Sequence, residues 1–272
     1  MTNRLLSKLL GPPPHLFLGL DPQRGRMPAE LASEPDALER FCRTAVEACG
    51  ELIAGVKINF AFFEVEGSAG LRCMERLLEA LPPRLATIGD AKRGDIGSSA
   101  ALYARALFET WNFDAATVNP LMGGDAVAPF LHYADRTVFL LAMTSNRGAQ
   151  DIIVPLGFFD RMLERTAVWN AHNNIGLVVG ATKPQAVAAA LERFPAMPIL
   201  APGLGAQGAP LEALRNIVAH HPEAPLLLPL SRALLYPDGE GGAFPDNIRA
   251  AARHWHRTLA ELKESNTPGE SR

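Results

Sequence analysis

The sequence predicts a single α/β domain, a (β/α)8 TIM barrel, on three observations. Eight short runs are continuously apolar rather than alternating, as strands buried on both faces must be. Each run is followed by a segment whose apolar residues recur at helical spacing. The alternation fills roughly 250 residues, the usual size of such a barrel. A doubly wound open sheet is the runner-up architecture.

HLFLGLD (15–21) opens the series. Its helix is EPDALERFCRTAVEACG, with Ser33 expected as N-cap and Gly50 as the stop. LIAGVKIN (52–59) leads to GSAGLRCMERLLEALPP, and RLATIGDAK (84–92) to SSAALYARALFETWN. AATVNP (115–120) precedes GDAVAPFLHYA, and TVFLLAMT (137–144) precedes LGFFDRMLERTAVWNAHN. NIGLVVGA (174–181) precedes KPQAVAAALERF, and PILAPG (198–203) precedes APLEALRNIVAHH. LLLPLSR (226–232) precedes FPDNIRAAARHWHRTLAELK. The barrel is expected over residues 1–262, with KESNTPGESR (263–272) as a polar, disordered tail. The opening MTNRLLSKLLGPPP reads as a short amphipathic helix stopped by Pro12 to Pro14.

Composition narrows the function. With 272 residues, 48% of them hydrophobic, the chain can bury a large core. A formal net charge of −3 supplies no general field for nucleic acid, so an anionic ligand must be gripped locally. No apolar run approaches the roughly 20 residues that cross a bilayer. Cys42, Cys49 and Cys73 are odd in number and lack metal-ligand spacing. They read as core thiols of a protein in a reducing compartment, the cytoplasm. Neither His220 with His221 nor His254 with His256 has metal spacing, and no metal site is expected.

In such a barrel the chemistry sits at the C-terminal ends of the strands. Here those ends carry Asp21, Lys57, Asp90, Lys92, Asn119, Ser145, Ser231 and Arg232. Asp90 and Lys92 are two apart, so an extended strand points both inward. Lys57 lies at the end of the neighbouring strand, and Asp95 lies in the turn beyond. Alternating Lys and Asp form a near-neutral array in which each charge holds its neighbour ionised. A ring of salt bridges on the rim is the competing reading. PGLGAQGAP (202–210) can present backbone N–H groups to an anion, and Arg232 can grip a phosphate with two hydrogen bonds. Loops after the seventh and eighth strands are where barrels of this kind bind phosphate.

The segments LGLDP, GVKINFAFFE, DAKRGDIGSSA, PGLGAQG and SRALLY follow one another between residues 15 and 236. In this order they resemble orotidine 5′-phosphate decarboxylase, in its longer subgroup. The resemblance implies a homodimeric barrel that converts orotidine 5′-monophosphate to UMP and CO2, the last step of de novo UMP synthesis. It implies no metal and no organic cofactor. The catalytic array it implies is Lys57, Asp90, Lys92 and Asp95, with Asp95 and Ser99 reaching across the dimer interface. By the same matching, Asp21 meets a ribose hydroxyl, Ser145 the pyrimidine, and Gln207 with Arg232 the phosphate. Two alternatives stand beside it. One is a metal-dependent phosphosugar decarboxylase or aldolase on the same barrel, and the other is a nucleotide-binding protein without chemistry.

Overall fold

In the computed structural model the described residues are 2–34, 36–204, 211–237 and 242–264. The eight apolar runs form parallel strands: β1 (His15–Leu20), β2 (Gly55–Asn59), β3 (Ala86–Arg93), β4 (Ala115–Val118), β5 (Thr137–Met143), β6 (Ile175–Val179), β7 (Ile199–Leu200) and β8 (Leu226–Leu230). Each pairs with the next, and β8 pairs back onto β1 with His15 opposite Leu227, so the sheet is closed. Closure rules out the open doubly wound alternative.

The strands are apolar on both faces because both faces are covered. On β1, Leu16, Leu18 and Leu20 face the helices, while Phe17 faces the barrel axis. The axis is filled by Phe17, Ala86, Ile88, Ala115, Phe139, Val178, Leu200 and Leu227. Two rings leave no room for a neighbouring side chain. A Cβ on Gly55 would lie 2.4 Å from the Phe17 ring, and one on Gly176 would lie 2.5 Å from the Phe139 ring. Glycine is needed at both positions for close packing rather than for a turn.

Helices follow the strands as the periodicity predicts. α1 (Arg4–Lys8) precedes β1, and α2 (Ala29–Ala32) and α3 (Ala37–Cys49) follow it. α4 (Ala61–Glu64) and α5 (Gly67–Ala80) follow β2, α6 (Gly97–Arg105) follows β3, and α7 (Gly124–Leu131) follows β4. α8 (Phe158–Trp169), α9 (Pro184–Arg193) and α10 (Leu211–His220) follow β5, β6 and β7. α11 (Arg232–Leu235) and α12 (Asp246–Glu264) follow β8. Among the described residues no helix is long and apolar enough to cross a membrane.

Four local expectations need correction. Ser33 does not cap α3; it ends α2, where its hydroxyl donates to the Glu30 carbonyl, and Asp36 takes the N-cap position. The seventh strand is only two residues long, because Pro198 and Pro202 flank it and cannot donate to a ladder. The helix after β3 widens into a π turn over Ala106–Thr110, and Trp111 stands just past it. α12 runs to Glu264, two residues into the expected tail, while 265–272 lie outside the described residues. Gly50 does stop α3, and Cys42, Cys49 and Cys73 are free and buried.

α1 closes the lower end of the barrel. Leu5 is fully buried against the axial cluster. Lys8 Nζ lies 2.7 Å from Asp114 Oδ2, and Arg4 lies 3.1 Å from Asp114 Oδ1. The Thr87 backbone N–H donates to the same carboxylate at 3.0 Å. Asp114 is wholly buried, so these donors compensate a charge that water cannot reach.

Candidate active site

The upper end holds a cavity of about 430 Å3, and most of the expected site residues line it. Asp21 follows β1, Lys57 lies on β2, and Asp90 and Lys92 lie on β3. Ser145 follows β5, and Arg232 opens α11. Ser145 lines the cavity, and its neighbour Thr144 does not. The floor is apolar, built from Leu141, Val178, Leu200 and Pro229 on four successive strands. A low-polarity floor strengthens every electrostatic interaction above it.

One carboxylate organises the charges. Lys57 Nζ lies 2.7 Å from Asp90 Oδ2, and Lys92 Nζ lies 2.6 Å from Asp90 Oδ1. Burial opposes ionisation of Asp90, but the two ammonium groups outweigh it and hold the carboxyl well below the usual carboxylate range. Burial likewise pushes Lys57 toward neutrality, and Asp90 with Asp21 more than reverses this, so its ammonium is held above its ordinary value. Lys57 and Asp90 are buried, whereas the Lys92 side chain is 51% exposed and reaches into the opening. Asp21 Oδ1 lies 3.9 Å from Lys57 Nζ, is buried, and accepts no hydrogen bond from the described residues.

The route by which Lys92 faces the cavity is not that of a regular strand. Its φ is +47°, in the left-handed region. The β3–β4 register is broken there: Gly89 pairs with Ala116, and the next pair is Arg93 with Val118. Arg93 turns away to pair with Glu64 at 2.5 Å.

Two expected residues are not brought to this cavity, and a third is not among the described residues. Asp95 lies outside its lining and accepts the Ile96 backbone N–H at 2.8 Å. Ser99 is exposed on α6. Gln207 lies outside the described residues. A larger cavity of about 670 Å3 opens at the lower end, beside Arg4, Lys8, Glu75 and Trp111. Arg4 and Lys8 are committed to Asp114 and Trp111 Nε1 to Glu75, so these groups serve the fold.

Comparison with known proteins gives the same picture. Residues 14–224 match the family model described as "Orotidine 5'-phosphate decarboxylase / HUMPS family". The chain belongs to that family.

The orotidine 5′-phosphate decarboxylase of Thermomicrobium roseum is 41% identical over 256 residues, covering 92% of this chain and 91% of that protein. Among solved structures, Leishmania donovani OMP decarboxylase superposes with a TM-score of 0.77 at 32% identity, covering 92% of this chain and 93% of that one. Leishmania donovani UMP synthase superposes with a TM-score of 0.79 at 34% identity; the match covers 91% of this chain but only 53% of that longer protein.

For a member of the orotidine 5′-phosphate decarboxylase / HUMPS family, the cavity holds residues that reading the strand ends overlooked. Gln23, Asn59, Phe62 and Thr117 also line it. Gln23 is held by Tyr236, whose hydroxyl accepts the Gln23 backbone N–H at 2.6 Å. Thr117 stands inside the apolar run AATV, where a hydroxyl flanked by alanine and valine was the available signal.

Proposed function

We propose that this protein decarboxylates orotidine 5′-monophosphate to UMP, with Lys92 as the central residue. The observation that carries this is the Lys57–Asp90–Lys92 chain at the mouth of a barrel of this family. Loss of CO2 from C6 of orotate leaves an electron pair in an in-plane orbital that the ring cannot delocalise. Stabilisation must therefore be electrostatic, from a charge fixed in advance beside C6. An ammonium held 2.6 Å from an ionised Asp90 is such a charge. As the C6–carboxylate bond breaks, the pair stays on C6 and takes a proton from Lys92 Nζ. Solvent at the open side of Lys92 then returns the proton.

The remaining roles follow the chemistry of each group. Asp21 Oδ1, buried and without a donor among the described residues, suits a ribose hydroxyl. Ser145 suits a polar edge of the pyrimidine, whose faces meet the apolar floor. Arg232, exposed at the rim, suits the phosphate, and Gln207 joins it. Remote phosphate binding energy then contributes to the chemical step.

The active form is a homodimer in this reading. Asp95 and Ser99 sit off the cavity of their own chain, beside Ile96, Leu102 and Tyr103, which expose apolar surface. A second copy docked there receives Asp95 and Ser99 at its own mouth. Three free, buried thiols fit a reducing cytoplasm.

The test is the absorbance of orotidine 5′-monophosphate after addition of purified protein in EDTA. Loss of the orotate chromophore with UMP as product is expected. An unchanged spectrum with folded protein overturns the reading and turns attention to phosphosugars with Mg2+.

A further inference from the structure

The β3–β4 seam supplies a second support for Lys92. Between the pairs Gly89–Ala116 and Arg93–Val118, three residues of β3 face a single residue of β4, which is Thr117. The backbone ladder cannot continue across such a mismatch. The Thr117 hydroxyl takes its place. Oγ1 accepts the backbone N–H of Lys92 at 3.0 Å and donates to Asp90 Oδ1 at 3.0 Å. That same Asp90 oxygen receives the Lys92 ammonium at 2.6 Å. Thr117 is buried, and its branched Cβ leaves the hydroxyl little rotational freedom. Lys92 meanwhile holds a φ of +47°, which L-residues adopt only when the surroundings impose it.

We propose that Thr117 is a positioning residue for the decarboxylation: one hydroxyl fixes both ends of Lys92, its backbone directly and its ammonium through Asp90. The proposal rests on the decarboxylase reading above. Thr117 makes no bond in the reaction. It holds Lys92 where the electron pair on C6 will form, so its contribution belongs to the chemical step rather than to binding.

The experiment compares wild type, Thr117→Val, Thr117→Ala and Thr117→Ser, measuring kcat and KM for orotidine 5′-monophosphate and the Kd of UMP. Valine keeps the shape and removes the hydroxyl; alanine removes it without adding bulk, should the valine protein not fold. The expected result is a fall in kcat of roughly ten- to a hundredfold in the valine or alanine protein, with the Kd of UMP within about twofold of wild type. Thr117→Ser, which keeps the oxygen, is expected to recover most of the loss. A kcat within about twofold of wild type in the hydroxyl-free variants overturns the proposal, as does a serine variant no better than alanine. An inactive wild-type control overturns the decarboxylase reading instead, so the two failures are distinguishable.

Discussion

The ammonium of Lys92 lies 2.6 Å from Oδ1 of Asp90, two residues earlier on the same strand. In a regular strand those two side chains would stand side by side on one face. Here a broken register and a left-handed Lys92 bring them into direct contact. The pair is built at a local cost in backbone energy of about 1–2 kcal/mol, typical of functional positions.

Replacing Lys92 by alanine is expected to lower kcat/KM by more than the roughly 10² to 10⁴ of a simple general acid, because stabilisation and protonation are lost together. The half-exposed side chain contributes little to packing, and Asp90 keeps Lys57 and Thr117 as partners, so the melting temperature should fall only modestly. Steady-state rates and a thermal melt check both. A fall of tenfold or less excludes Lys92 as the central group.

Asp90→Asn is expected to cost about 3–5 kcal/mol at neutral pH, because it leaves the buried Lys57 ammonium without its main partner. The folded carboxyl is held below its unfolded value of about 3.9, so its contribution is complete above that pH. It is lost as the pH falls through the folded value. Lys57 has the opposite sign: its raised value stabilises below about pH 10.4 and is lost as the pH rises through the folded value. Urea melts of both proteins from neutral pH into acid should therefore converge. A gap that stays constant contradicts the assignment.

Arg232→Ala is expected to raise KM for the nucleotide about tenfold or more while leaving the use of orotidine without phosphate unchanged. Parallel assays with the two substrates decide it. Equal losses on both would remove the phosphate role.

Mixing inactive Lys92→Ala with inactive Asp95→Ala is expected to restore about a quarter of wild-type activity. Half the dimers are then mixed, and each has one intact site. No recovery after verified subunit exchange counts against the shared site.

Asp114→Ala should destabilise the fold by about 3–5 kcal/mol, since Arg4, Lys8 and Thr87 lose a common buried partner. The rate per folded molecule should not change, because Asp114 is at the far end from the cavity. Denaturant melts and active-site-normalised rates separate the two effects.

The barrel was legible because burial on both faces writes itself as unbroken apolar runs such as LFLGL and LLLPL. Lys57, Asp90 and Arg232 were legible because charge at a strand end has no packing use. Lys92 was placed on the correct face by a rule its backbone does not obey: regular alternation reached the right side of a strand that in fact bulges. Thr117 was missed for a related reason. A hydroxyl inside an apolar run looks like core, and its value depends on a register break that no local pattern announces. Ser33 failed as a cap because the chain makes an additional short turn, α2, before α3 begins. Asp95 and Ser99 carry no cavity contact within one chain, so only the resemblance singled them out.

The plug at the base has a consequence for traffic. Leu5, Phe17, Phe139 and Leu227 fill the axis below the charged residues, so the chamber is a cul-de-sac. In the proposed reaction, carbon dioxide would leave by the same mouth as UMP, because the described residues close the base of the barrel. Until the nucleotide moves, the gas stays within reach of the carbanion it left. In the proposed mechanism, forward commitment is then a race between recapture of CO2 and protonation of C6 by Lys92, and the closed base of the barrel keeps both at the one mouth.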